Sequence, residues 1–141
     1  MYFIIYDRGG KPLFYRAWGA DARTDPVAID EHSKLVFGVV FSLRQVVPSL
    51  SSDPEAELHS FSTSAFTVHV FMPATGYRLV LGTYLASAKQ QAEAQAFLED
   101  AYVNAFVDLV MQDPTYEPGS KIYSLAFAKN LEARLAQLFG R

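Results

Sequence analysis

Apolar positions run without a break from Tyr2 to Tyr6, pause at the Gly-rich stretch "DRGGK", and resume with aromatic weight from Pro12 to Trp18. Two β-prone runs around a short glycine turn predict a hairpin, β1 and β2. In β1, Phe3 and Ile5 alternate with Tyr2, Ile4 and Tyr6, so both faces of its sheet are apolar and each needs a cover. The expectation is a helix layer on each side.

Residues 19 to 30, "GADARTDPVAID", have loop composition. From about Glu31 to Val47 the pattern changes to a 3.6-residue period, and Leu35, Val36, Val39, Val40, Leu43, Val46 and Val47 read as the core stripe of a helix, α1, with Pro48 helping to end it. Three strands follow, β3 (Leu58 to Thr63), β4 (Phe66 to Met72) and β5 (Tyr77 to Thr83). Between the last two, Pro73, Ala74, Thr75 and Gly76 suit a turn closed by a left-handed glycine. In β4, Phe66, Val68, Val70 and Met72 share one face, and His69 takes the other between Thr67 and Phe71.

Two helices close the pattern. Ser87 and Gln90 have capping-box spacing ahead of α2, whose stripe of Leu98, Tyr102, Ala105 and Leu109 stops before Asp113 and Pro114. Ser120 is the expected cap of α3, with Ile122, Leu125, Leu131, Leu135 and Leu138 inward and Gly140 just past the end. The order ββαβββαα describes an α+β protein, one domain over residues 1–141.

Composition narrows what such a domain does. Its 141 residues, 50% apolar and 14% aromatic, supply one substantial core. A net charge of -3 with no basic run speaks against a dedicated nucleic-acid binder. Absence of cysteine excludes disulfides, thiolate metal sites, thiol catalysis and cysteine acylation, and fits a reducing compartment. The opening residues lack the basic region and cleavage site of a secretory signal, and no apolar run approaches the roughly 20 residues of a membrane span. A soluble, cytoplasmic protein is expected, touching membranes only through partners.

The residues that carry chemistry do not assemble into a motif. His32, His59 and His69 are scattered, without HExxH or an i, i+4 pair, and no serine lies in GxSxG. "RGGK" at 8 to 11 is followed by a strand opening at Pro12, so it is a hairpin turn and not a phosphate loop. Glu93, Glu99, Asp100 and Asp108 fit a solvated face of α2, and Lys121, Lys129 and Arg134 are too sparse on α3 for an anionic membrane surface. Neither a cofactor nor a metal is expected.

The anomaly is α1. Opposite its assigned core stripe lie Phe37 and Phe41, accompanied by Lys34, Gly38 and Arg44. A helix apolar on both sides is sandwiched, and the cover is either the stretch at 19 to 30 or another protein chain. Two phenylalanines removed from water contribute about 1.5 to 3 kcal/mol each, and the flanking cations suit an acidic partner.

Three ordered blocks, "YDRGGKPLFYRAW" (6 to 18), "SKLVFGVVFSLR" (33 to 44) and "FSTSAFTVHVFMPATGYRLVLGT" (61 to 83), closely resemble the small sybindin-like subunits of the transport protein particle, TRAPP. The likeness extends more loosely through α2 and α3. It implies a longin-like fold, a five-stranded antiparallel sheet with α1 on one face and two helices on the other. It further implies a non-catalytic subunit of a tethering complex in endoplasmic-reticulum-to-Golgi traffic. Such a subunit pairs with a second longin-like subunit and helps build the surface for nucleotide exchange on a Rab GTPase, peripheral to both membranes. By position in the matching blocks, Phe37, Phe41 and Arg44 of α1 and Tyr15 and Trp18 of β2 are candidate partner contacts, beside Lys34 and Gly38. The turn at Lys11 and Pro12 and the Ala- and Gln-rich start of α2 depart from the family pattern. Other readings are a different longin-type trafficking module, such as a small adaptor-complex chain, or a small α+β enzyme using Tyr15, His69 and Arg78 between α1 and the sheet.

Overall fold

Every side chain of β1 (Tyr2–Tyr6) is buried, as an apolar run without alternation requires. The strand lies second in an antiparallel sheet of order β2-β1-β5-β4-β3, with β2 at Pro12–Ala17, β3 at Ser60–Ser62, β4 at Phe66–Phe71 and β5 at Arg78–Tyr84. The computed structural model describes residues 1–18, 25–50, 60–62, 66–73, 75–84, 88–117, 120–122 and 125–139.

The two faces of the sheet carry separate cores, as the sequence predicts. On one, Tyr2, Ile4, Tyr6, Val68, Val70 and Val80 meet Val36 and Val40 of α1 (Pro26–Leu50). On the other, Phe3, Ile5, Leu79 and Leu81 meet α2 (Ala88–Asp100), its continuation Ala101–Met111 and α3 (Leu125–Phe139). Register explains the division. Tyr15 pairs with Ile4 and Phe14 with Ile5, but Tyr6 pairs with Pro12, leaving Leu13 as the extra residue of a bulge. Leu13 therefore joins Phe14 in the two-helix core, and its carbonyl accepts the main-chain N–H of Ile122 at 2.8 Å. Farther along β2, Arg16 is bound to Glu132 of α3, Nη2 to Oε1, at 2.6 Å.

Both turns take the expected form. Asp7 Oδ1 accepts the N–H groups of Gly9 and Lys11, at 2.9 and 2.8 Å, which winds "DRGGK" tightly. Gly76 donates to the carbonyl of Pro73 at 3.0 Å with φ +91°, a left-handed conformation that suits glycine.

The helices depart from expectation at their ends. α1 begins at Pro26, not near Glu31. Asp25 accepts the N–H of Val27 through its side chain at 3.1 Å, and proline follows at the first helical position, so "DP" is a start signal inside a stretch of loop composition. Pro48 falls within the final turn, two residues before the end. Ser120 does not cap α3, which starts at Leu125. Its hydroxyl donates to the carbonyl of Glu117 at 2.6 Å, and Ile122 packs into the core ahead of the helix. Ser87 and Gly140 lie outside the described residues.

Beyond Asp100 the chain is wound as a π-helix through Met111. The N–H of Gln112 bonds to the carbonyl of Val107, an i to i+5 closure. Ala101, Ala105, Phe106 and Val110 are all buried along this segment. The wider spacing lets adjacent Ala105 and Phe106 both face the core, with Phe106 against Tyr77 at 5.1 Å between ring centroids.

Candidate partner-docking surface

The face of α1 that meets the sheet is not the one its apolar period suggests. Val36 and Val40 are buried there as expected, and Leu43 packs partly against the same core. Leu35 is 67% exposed, and Val39 and Val46 are also exposed, so three residues of the assigned stripe point outward. Conversely, Phe37, expected on the outer side, is half-buried against the sheet, its ring 5.4 Å from that of Tyr6. At roughly 100° per residue, Ser33, Val36, Phe37 and Val40 form one line, and Leu35, Val39 and Val46 fall on the far side. The deciding contact is polar. Tyr6 donates its hydroxyl to the carbonyl of Ser33 at 2.6 Å, a demand that an apolar count does not register.

The remaining candidates sort accordingly. Phe41 is 44% exposed and stacks on Phe37 at 5.9 Å, so it stands at the rim between core and solvent. Gly38 and Lys34 are exposed, and Lys34 pairs with Asp30 of its own helix at 2.9 Å. Arg44 is exposed on the final turns. Tyr15 is half-buried and shares a hydrogen bond of 2.7 Å with Nδ1 of His32. Trp18 packs partly against the two-helix core on the opposite side of the sheet. Lys34, Gly38 and Phe41 thus share one exposed side of the helix, Arg44 is exposed farther along the line of Phe37, and Tyr15 and Trp18 lie apart. Leu35, Val39, Val46 and Val27 are exposed on α1 as well, the last by 63%. Their signal in the sequence is the width of the apolar arc, which exceeds what one sheet can cover.

Past Phe37, α1 meets the tips of two hairpins. The Arg78 guanidinium lies over the Phe37 ring at 5.3 Å, and its Nη1 donates to the carbonyl of Arg8 at 3.4 Å. Arg8 in turn donates Nε to the carbonyl of Thr75 at 2.5 Å. Burial, and then the charge of Arg44, depress the pKa of Arg78, while Asp7 acts in the opposite sense.

Groups that would have to converge for catalysis are dispersed. Tyr15 and Arg78 lie on the α1 face, on the two strands that flank β1, where they pair with Ile4 and Tyr6, while His69 is fully buried on the other face. Its Nε2 is 3.1 Å from the hydroxyl of Thr83, and burial lowers its pKa, favouring the neutral ring. A cavity of about 600 Å³ between the hairpin tips and the π-helical segment is lined by Asp7, Arg8, Thr75, Tyr77, Tyr102 and Met111, among others. The Tyr102 hydroxyl is engaged by that of Thr75 at 2.7 Å. Among the described residues no three His, Asp or Glu side chains are grouped to hold a metal, and no helix is long and apolar enough to cross a membrane.

Sheet order, one helix on one face and two on the other define a longin-like domain that, among the described residues, exposes Val27, Leu35, Val39, Phe41 and Val46 along α1. The chain belongs to the Sybindin-like family, whose model matches residues 1–138. It is 27% identical over 135 residues to trafficking protein particle complex subunit 1 of Homo sapiens, covering 95% of this chain and 90% of that protein. Transport protein particle subunit bet5 of Schizosaccharomyces pombe is 27% identical over 124 residues, 81% of this chain and 77% of its own length. Trafficking protein particle complex subunit BET5 of Saccharomyces cerevisiae is 32% identical over 114 residues, 77% and 69% of the two chains.

Proposed function

We propose that this chain is a non-catalytic core subunit of the transport protein particle and that the outer face of α1 seats a second longin-like subunit. Family membership and relatives that are themselves particle subunits support the assignment. The observation that carries the docking role is the outward line of Leu35, Val39 and Val46 beside Phe41, large apolar side chains left in water on a helix whose other side is already packed.

Within the assembled particle, the chain contributes to a platform that promotes nucleotide exchange on a Rab GTPase at endoplasmic-reticulum and Golgi membranes. Exchange of this kind needs no acid or base from the subunit. A surface that binds the nucleotide-free GTPase more tightly than the loaded form shifts the equilibrium by that difference. The dispersed polar groups of this domain agree with such a role. Affinity purification of the tagged chain from its native cell, with identification of the co-purifying chains, is the test. Other particle subunits are expected. Recovery of the chain alone, or with adaptor chains, refutes the assignment.

A further inference from the structure

The π-helical winding of Ala101–Met111 builds one wall of the cavity at the hairpin tips. Closure from i to i+5 makes two turns take roughly nine residues. Tyr102, Val107 and Met111 therefore come to one side, where all three line the cavity of about 600 Å³. In an α-helix, at about 100° per residue, Tyr102 and Met111 would face opposite ways. π-helical turns are rare and recur at functional sites, and here they shape an apolar wall that ordinary winding would not.

The facing wall is polar, with Asp7 and Arg8 side by side in it at the β1–β2 turn. Gly76 lets Arg8 lie across the β4–β5 turn, since a Cβ at that position would come 2.7 Å from Arg8 Cγ. Arg8 Nε donates to the carbonyl of Thr75 at 2.5 Å, which fixes the side chain and leaves its terminal N–H groups without a partner among the described residues. Asp7 commits Oδ1 to the N–H groups of Gly9 and Lys11. Tyr77, 8% exposed, also lines the cavity, and among the described residues its hydroxyl meets only the thioether sulfur of Met111, at 3.9 Å. A thioether is a weak acceptor, and a buried tyrosine hydroxyl ordinarily finds a better one. Guanidinium and phenol thus offer donors to an anion. Asp7 beside them offers an acceptor to an N–H and works against a doubly charged anion such as phosphate.

We propose that this cavity holds the carboxy-terminal residue of a partner chain, its carboxylate on Arg8 and the Tyr77 hydroxyl, its amide N–H on Asp7, and a bulky apolar side chain against Tyr102, Val107 and Met111. A chain end carries all three groups on one carbon, which suits a single cavity with one cation and one apolar wall. Arginine binds a carboxylate through paired N–H donors. Exposed Val103, close to Val107 on the same helical segment, continues the apolar surface beyond the cavity, so a chain leading out of it gains contacts that a free small acid does not. The cavity lies on the two-helix side of the sheet, away from α1. The inference rests on the reading of this chain as one subunit among several, which co-purification measures separately and which stands if this site fails.

The probe is a short fluorescent peptide of alanine and glycine ending in leucine with a free carboxylate, titrated into the full chain and followed by anisotropy. Its carboxamide counterpart is run beside it, and N-acetyl-leucine serves as a competitor. The free-carboxylate peptide is expected to bind, the carboxamide to bind about tenfold or more weakly, and N-acetyl-leucine to compete at about tenfold or more higher concentration than the unlabelled peptide. Arg8→Gln, and on the opposite wall Met111→Glu at an exposed position, should each weaken the free-carboxylate peptide by about tenfold or more. Lys11→Gln, in the same turn as Arg8 but outside the cavity lining, should change it by no more than about twofold. Thermal melts confirm folding of each variant, and Arg8→Lys, which keeps the charge but not the paired donors, replaces Arg8→Gln should that variant unfold. No binding, equal binding of the carboxamide, insensitivity to either cavity variant, or an equal loss from Lys11→Gln overturns the proposal. So does competition by N-acetyl-leucine as strong as that of the peptide, since the occupant would then be a free small acid.

Discussion

The Tyr6 hydroxyl, in the middle of the molecule, donates to the main-chain carbonyl of Ser33 at 2.6 Å, and both residues are buried. Burial, with Tyr2 and Tyr15 adding to it, drives the Tyr6 pKa far above the usual phenol range, so the donor proton is retained. Ser33 is itself tied to Ile29, its hydroxyl donating to that carbonyl at 2.8 Å. This hydrogen bond from strand to helix is made in the rotation of α1 that turns Val36 and Val40 to the sheet and Leu35, Val39 and Val46 to solvent.

Tyr6→Phe keeps the ring and removes the bond. A loss of about 1 to 2 kcal/mol is expected, seen as a lower urea midpoint with an unchanged slope. A loss within a few tenths would mean that packing alone orients α1.

Gly10 has φ +89°, and a Cβ there would stand 2.5 Å from Phe37 Cζ. Gly10→Ala is therefore expected to cost about 1 to 3 kcal/mol in chemical denaturation. Gly9→Ala, whose nearest neighbour would be 3.6 Å away, should fall within about 0.5 kcal/mol of the parent.

Burial lowers the folded-state pKa of His69. The unfolded chain, with an ordinary imidazole pKa near 6.5, then takes up the proton first. Stability from this group is complete above about pH 7.5 and is lost as pH falls from about 6.5 toward the lower folded value. The slope is at most about 1.4 kcal/mol per pH unit. Urea melts across this window should show that slope in the parent and lack it in His69→Gln. Parallel curves would remove His69 as the cause.

Leu35→Asp with Val39→Asp alters only outward positions of α1, so stability should change by less than about 1 kcal/mol in all while co-purifying subunits are lost. Val40→Asp, one residue further and buried, should unfold the domain. If the double variant retains every partner, the outer face of α1 is not the seat of a subunit.

Strands and turns were legible because their signals are local. β1 shows its double burial in five consecutive apolar residues, and the glycine turns carry their own chemistry at Gly76 and at Asp7 to Lys11. The rotation of α1 was not legible, because its apolar residues cover more than one face and the choice between faces rests on Tyr6, a residue 27 positions away from Ser33. The π-helical winding of Ala101–Met111 was hidden for a related reason. Leu98, Tyr102, Ala105 and Leu109 satisfy a helical period, and only packing of Ala105 beside Phe106 reveals the wider turn. Of the candidate surface, the apolar period sets Phe37, Phe41 and Arg44 on one side, and of these Phe41 and Arg44 are exposed whereas Phe37 packs on the sheet.

The bulged β2, anchored to Ile122 at Leu13 and to Glu132 at Arg16, closes one margin of the sheet. A flank fastened to its own helical layer offers little free backbone for a foreign strand to zip onto. At this margin, side chains and not free backbone are what a neighbouring molecule would meet, which works against the endless ribbon that unguarded sheet margins permit.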